Sequence, residues 1–303
     1  MIRTVFGDIA KENFGKTMCH EHFIIDLDRV RHDGESKIET VEEVVPEIEK
    51  MMDLGVEAAI EVSTIDLGRD VLKLKEISAI TGLKMVCSTG FYLTQFHPEW
   101  LTDATPEEIA EVYIKELTEG IDDTGIKAGI IAEIASSPKE FVGQERKILV
   151  AAGIAAKKVG CAVSTHTGRF TAHETIDILL EQGVDPDKII IGHQDLIDDI
   201  DYHCSLLERG VNIAFDTCGK KAYMPDETRA KNLITLCEKG YEDHLLLSND
   251  ISRRSYFTSA GNLGYLPVMS IVVPLIREYG GSERQIEKML VDNPARILDN
   301  DWK

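Results

Sequence analysis

Basic residues are scarce in this chain: 33 Lys and Arg stand against 53 Asp and Glu, a formal charge of −20 over 303 residues. That argues against nucleic acid or an anionic membrane as partner, since both reward a basic surface. Cysteine is sparse as well. Cys19, Cys87, Cys161, Cys204, Cys218 and Cys237 show no CxxC spacing and no tight framework, which predicts reduced core thiols and a cytosolic protein. No apolar run is long enough to span a membrane, and the opening MIRTVFGDIAKENFG lacks the apolar segment of a secretory signal. No linker or low-complexity stretch divides the sequence, so one domain over residues 1–303 is expected.

What is present is a recurrent pattern. Eight short apolar, β-branched runs occur at 17–25, 56–63, 83–93, 126–136, 160–168, 188–196, 211–217 and 244–250. Each is nearly continuous in apolar residues, as parallel strands buried on both faces require. Between them lie charged segments with helical spacing, several opening on Thr or Asp and closing on Gly. Eight strands alternating with helices predict a (β/α)₈ barrel. A doubly wound sheet is the alternative, but no GxGxxG follows the first strand. Residues 28–39 and 251–268 read as long loops on the face where barrels build their sites.

Polar residues end several of these runs. His20 and His22 lie two apart on the first strand, so period 2 aims both into the barrel. Glu133 ends strand 4, His166 strand 5, His193 strand 6 and Asp250 strand 8. Taken singly, a strand-end histidine is more often a hydrogen-bonded structural residue, and a strand-end Asp a helix cap. Together, four imidazoles and two carboxylates are costly to bury without a metal. The set predicts two divalent cations, zinc first with manganese or cobalt as alternatives. His20, His22 and Asp250 would hold the more buried ion, His166 and His193 the more exposed one, with Glu133 bridging. Such a pair can share a hydroxide nucleophile at neutral pH. Glu21 is expected to face the helices in a structural role, and Cys19, on the face opposite His20, to pack in the core. His32, His97, His173, His203 and His244 read as surface residues, and Asp26 and Asp216 as supporting or substrate candidates.

The segments GKTMCHEHFIID, STGFY, KAGIIAEIASS, STHTG, IGHQDL, FDTCGK, LSNDISRRSY and MLVDNPARIL carry a resemblance from end to end. The chain resembles the phosphotriesterase family of the amidohydrolase superfamily, and within it is similar to the phosphotriesterase homology proteins. The resemblance implies an amidohydrolase-type barrel in which the bridging hydroxide attacks a polarised carbonyl and Asp250 shuttles the proton to the leaving group. Many members bridge the metals with a carboxylated lysine. Here Glu133 stands at that place, which argues against efficient phosphotriester hydrolysis. A homodimer is the family-based expectation.

Four bases after strands 7 and 8 (Lys220, Lys221, Arg253 and Arg254) invert the local sign in a strongly acidic chain, where barrels commonly hold phosphate. They predict a small anionic substrate. By resemblance to members acting on phosphorylated sugar lactones, Arg253 and Tyr256 are the preferred anchors, and Tyr92 stands where lactonases place a Tyr beside the attacked ring. The expected activity is therefore that of a lactonase. A phosphotriesterase or general esterase, or a metal-binding barrel without strong activity, are the alternatives. A mononuclear deaminase would need a Glu near HTGRF, and none is there.

Overall fold

The computed structural model describes residues 1–302. Eight parallel strands form a nearly closed (β/α)₈ barrel: β1 (Thr17–Glu21), β2 (Ala58–Glu61), β3 (Lys84–Thr89), β4 (Ile130–Ala135), β5 (Val163–His166), β6 (Ile189–Ile191), β7 (Asn212–Phe215) and β8 (Leu245–Leu247), each beside the next. All eight expected strands are present, but each is shorter than the apolar run that announced it. β6 stops early because His193 turns into the left-handed conformation, at φ 59°. Helices α1 (Val41–Asp53), α2 (Val71–Thr81), α3 (Pro106–Thr118), α4 (Glu145–Val159), α5 (Ala172–Glu181), α6 (Ile200–Leu207) and α7 (Asp226–Glu238) follow β1 to β7. Thr40 and Thr105 close capping boxes with Glu43 and Glu108, and α2 and α4 end on left-handed Gly82 and Gly160. Among the described residues no helix is long and apolar enough to cross a membrane.

Alternation along the strands makes two cores. Met18, Ala59, Met85, Ile131, Val163 and Ile213 pack between sheet and helices. Cys19, Ile60, Val86, Ala132, Ile190 and Leu246 fill the barrel interior. An N-terminal hairpin of Ile2–Thr4 and Gly7–Ile9 was not legible in the sequence, since three-residue strands are too short to show a period. Its Ile2, with Phe14, Ile297 and Leu298, belongs to the same interior cluster.

The seam between β8 and β1 carries no regular ladder. Side chains close it, beside one backbone bond from Asp250 N to His20 O at 3.3 Å. The Glu21 carboxylate accepts from the backbone N–H groups of Asn249 (2.9 Å) and Ile251 (3.2 Å) and from Asn249 Nδ2 (2.8 Å). Glu21 thus ties the first strand to the segment that carries Asp250.

Helix α7 is fastened beneath the β6 and β7 ends by the fully buried Arg229. Its Nε donates to Asp195 Oδ2 (2.6 Å), Nη1 to Asp226 Oδ1 (3.0 Å) and Nη2 to Thr217 Oγ1 (2.8 Å). The arginine therefore pins both ends of the 217–226 segment. Replacing it by Met strands two buried carboxylates, so Arg229→Met is expected to destabilise the chain by about 3–5 kcal/mol. Urea unfolding measures this, and a loss below about 1 kcal/mol would show the network to be dispensable.

Candidate metal centre

Strict alternation does not by itself deliver the six strand-end residues to one place. On β1, Met18 pairs with Ala59 and Glu21 with Glu61, so one extra residue is inserted on β1. The same happens on β4, where Ile131 pairs with Val163 and Ile134 with Thr165. Each bulge lets two successive side chains face inward, Cys19 with His20 and Ala132 with Glu133, and bulges of this kind re-aim side chains beside active sites. This corrects the expected placing of Cys19: it still packs in the core, but inside the barrel.

At the other side, His193 and Asp250 adopt positive φ, 59° and 52°, a conformation costly for non-glycine residues and frequent at functional sites. Gly192 precedes His193 because a Cβ there would lie 2.1 Å from Thr165 O.

The side chains converge on Glu133. Its Oε1 lies 2.6 Å from His166 Nδ1, 3.1 Å from His193 Nε2 and 3.4 Å from His20 Nε2, and its Oε2 3.7 Å from His22 Nε2. Asp250 Oδ1 lies 3.3 Å from His22 Nε2 and 3.9 Å from His20 Nε2, while Lys220 Nζ contacts its Oδ2. Burial alone would raise the Glu133 pKa, but the histidines around it hold the carboxyl well below the ordinary range.

A second layer fixes the rings. His22 Nδ1 lies 2.9 Å from Ser63 Oγ, whose hydroxyl donates to Glu61 Oε1 at 2.6 Å. Asp216 takes the backbone N–H of His193 at 3.0 Å, its Nδ1 at 2.8 Å, and approaches His20 Nδ1 at 3.4 Å. Such carboxylate partners leave Nε2 free to ligate.

The donor set fits divalent cations. Both ring nitrogens of His20 are buried without a hydrogen-bond partner. His193 Nε2 and His166 Nδ1 lie 2.6 Å apart, which suits two lone pairs turned toward one cation. His20, His22 and Glu133 form one group able to hold an ion, and Glu133, His166 and His193 another. Asp216, expected only in support, adds a third combination with His20 and His193.

The sequence profile of the phosphotriesterase family matches residues 1–298. A phosphotriesterase homology protein of Escherichia coli is 34% identical over 285 residues, covering 94% of this chain and 98% of that protein. The chain belongs to the phosphotriesterase family. A phospho-furanose lactonase of Mycoplasmopsis synoviae is 31% identical over 332 residues, spanning 99% of this chain and 92% of that protein. A crystal structure of the phosphotriesterase homology protein from Escherichia coli, with phosphate in its active site, superposes with a TM-score of 0.92 at 33% identity, covering 94% of this chain and 99% of that one. As a member of the phosphotriesterase family, this chain is a metal-dependent hydrolase of ester bonds.

Above the cluster opens a cavity of ≈ 340 Å³ lined by Tyr92, Lys220, Arg253 and Tyr256, among others. The Tyr92 hydroxyl lies 3.3 Å from His166 Nδ1. Two expected substrate residues stand elsewhere. Arg254 turns away to Glu43, Nε to Oε2 at 2.7 Å, and to Glu39, because these acids on α1 and its approach attract it more strongly than open solvent. Lys221 is exposed and lines a side pocket between the 218–223 and 251–267 segments. The structure also adds residues that sequence reasoning missed: Arg31, Arg169 and Tyr223 line the same cavity. Arg31 ends a single helical turn, Asp28–Arg31, and Arg169 and Tyr223 sit in turns, all too short to show a period, so no local signal marked them. His203, read as a surface residue, is fully buried, with Nε2 2.9 Å from Gln194 O.

Proposed function

We propose that this chain is a binuclear metal-dependent lactonase acting on anionic lactones, phosphorylated sugar lactones among them. The observation that carries the reading is the convergence of four imidazoles on one carboxylate beneath a cavity whose walls hold Lys220 and Arg253. The phospho-furanose lactonase among the relatives and the phosphate in the Escherichia coli active site support it.

His20, His22 and Asp250 would hold one cation, His166 and His193 the other, with Glu133 between them; zinc suits these donors best. Bound there, two such ions polarise a carbonyl and supply a nucleophile from water near neutral pH. The chain's own groups do the rest. Glu61 and Ser63 hold His22, and Asp216 holds His193, each in one ring orientation. Tyr92 places its hydroxyl beside the attacked ring. Asp250 Oδ2 faces Lys220, and the carboxylate takes the proton that the leaving oxygen must receive. A cytosolic setting fits the six free cysteines, and the family resemblance points to a homodimer of single-domain chains.

The test is a lactone panel, with and without a terminal phosphate, on metal-analysed protein. The phosphorylated lactones are expected to give the highest kcat/KM. Preference for a phosphotriester would favour the general esterase reading, and no turnover of any ester by zinc- or manganese-loaded protein would leave a binding barrel. Arg253→Ala is expected to raise KM for phosphorylated lactones about tenfold or more, the worth of a charge-assisted hydrogen bond. An equal rise for neutral lactones would remove the anchor role.

A further inference from the structure

Tyr92 lies three residues beyond the end of β3 and is buried, at 5% exposure. Side chains take both of its main-chain polar groups. The N–H donates to the Asp66 carboxylate, 2.9 Å from Oδ1 and 3.0 Å from Oδ2. The carbonyl accepts from His97 Nε2 at 2.8 Å, which fixes the proton on that nitrogen. Asp66 is buried in the loop after β2, and Thr64 Oγ1 donates to its Oδ1 at 2.5 Å. His97, expected at the surface, is half-buried, and its Nδ1 is enclosed without a partner. Neither residue lines the cavity over the metal centre.

The other surroundings converge on the same residue. At Gly90 the chain runs so close to β4 that a Cβ would lie 2.3 Å from Ala132 O, next to Glu133. The Tyr92 ring stands edge-on to His166, with centroids 5.0 Å apart at 80°, and packs on Phe96 at 5.5 Å. Arg29, in the helical turn after β1, donates to the carbonyls of Asp66 and Phe96, the latter at 3.1 Å. The loops after β1, β2 and β3 thus form one polar network with Tyr92 at its centre. A buried carboxylate is costly unless it is hydrogen-bonded, and a network of this kind rigidifies what it holds. With N–H, carbonyl and ring all held, the direction of the Tyr92 Cα–Cβ bond is set from behind, and with it the place of the hydroxyl.

We propose that Asp66 and His97 are positioning residues for Tyr92. They lock its hydroxyl over His166, 3.3 Å from Nδ1, and so fix where it meets the ring of a bound lactone. The word lactone rests on the proposed lactonase activity, whereas the locking is a property of the chain and needs no turnover. Misplacement by about 1 Å at a reacting centre costs on the order of 10²-fold in rate. Two residues outside the cavity therefore act on the reaction through the tyrosine they hold.

Fluorine NMR of the zinc-loaded chain with meta-fluorotyrosine in place of tyrosine tests it, beside kinetics on the unlabelled chain. The Tyr92 line, identified by its loss in Tyr92→Phe, is expected to shift or split in His97→Ala while the other tyrosine lines stay. His97→Gln, whose amide can still donate to the Tyr92 carbonyl, should restore a single line near the wild-type position. Lactone kcat/KM should fall about tenfold in His97→Ala and recover in His97→Gln. In a Tyr92→Phe background His97→Ala should change kcat/KM little, because the hydroxyl it positions is gone. Asp66→Ala is expected to act like His97→Ala, and the half-buried His97 keeps the test open if the Asp66 variant fails to fold. A Tyr92 line unmoved by His97→Ala overturns the proposal, as does an equal loss of kcat/KM with and without the Tyr92 hydroxyl. A moved line with no lactone turned over would count against the lactonase reading alone.

Discussion

Asp250→Asn is expected to lower kcat by about 10²–10⁴-fold, the range associated with loss of a positioned proton-transfer group, while most of the metal stays bound. Asparagine is the informative replacement because it tolerates the left-handed backbone that Asp250 adopts at φ 52°. It also keeps an oxygen toward His22 Nε2, which the carboxylate faces at 3.3 Å. What it cannot do is accept and release a proton. Burial alone would raise the Asp250 pKa, but the Lys220 ammonium and the His22 hydrogen bond hold it well below the carboxylate range. In that setting the carboxylate stays ionised, and any proton it takes up is given back readily. Metal content by elemental analysis, run beside steady-state kinetics, separates the two effects. Near-normal turnover with full metal would sink the proton-transfer role, whereas lost metal would recast Asp250 as chiefly a ligand.

The same residue shows how far the sequence could be read. Asp250 was visible as a polar residue ending an apolar run, and so were Glu133, His166 and His193, because a buried parallel strand leaves few other places for charge. The barrel itself was legible for the same reason: eight apolar runs alternate with capped helical segments. What was hidden is the local geometry that turns those residues inward. The period-2 argument for His20 and His22 is sound on β1 but gives Cys19 the wrong face, because the inserted residue on that strand leaves no mark in composition. Without the matching insertion on β4, Glu133 would follow inward Ala132 onto the helix side. Loop residues were hidden more deeply. Arg253 and Arg254 are adjacent and identical in chemistry, and only the family resemblance preferred Arg253. Yet one lines the cavity, and the other is drawn to Glu43 and Glu39, which approach it from another part of the chain. Long-range charge pairing of this kind cannot be read from a local motif.

Glu133 is where the chain's own solution to holding two cations can be tested most severely. Its two oxygens face all four imidazoles, Oε1 within 3.4 Å of His20, His166 and His193, and Oε2 3.7 Å from His22. No other carboxylate faces all four imidazoles: Asp250 approaches only His22 and His20, and Asp216 only His20 and His193. Glu133→Gln keeps the volume and one carbonyl oxygen but removes the charge that two divalent ions would share. Metal affinity should therefore fall by more than the roughly 10–100-fold typical of losing an outer partner, and esterase activity should fall with it. Fold and volume are preserved, so the far-ultraviolet circular dichroism should not change. The decisive measurement is stoichiometry: the wild type is expected to retain two divalent ions per chain against a competing chelator, and Glu133→Gln at most one. Retention of both ions by the glutamine variant would mean that the histidines, with Asp250 and Asp216, suffice to hold them. The bridging role of Glu133 would then fall, even if its neighbours' positions were unchanged.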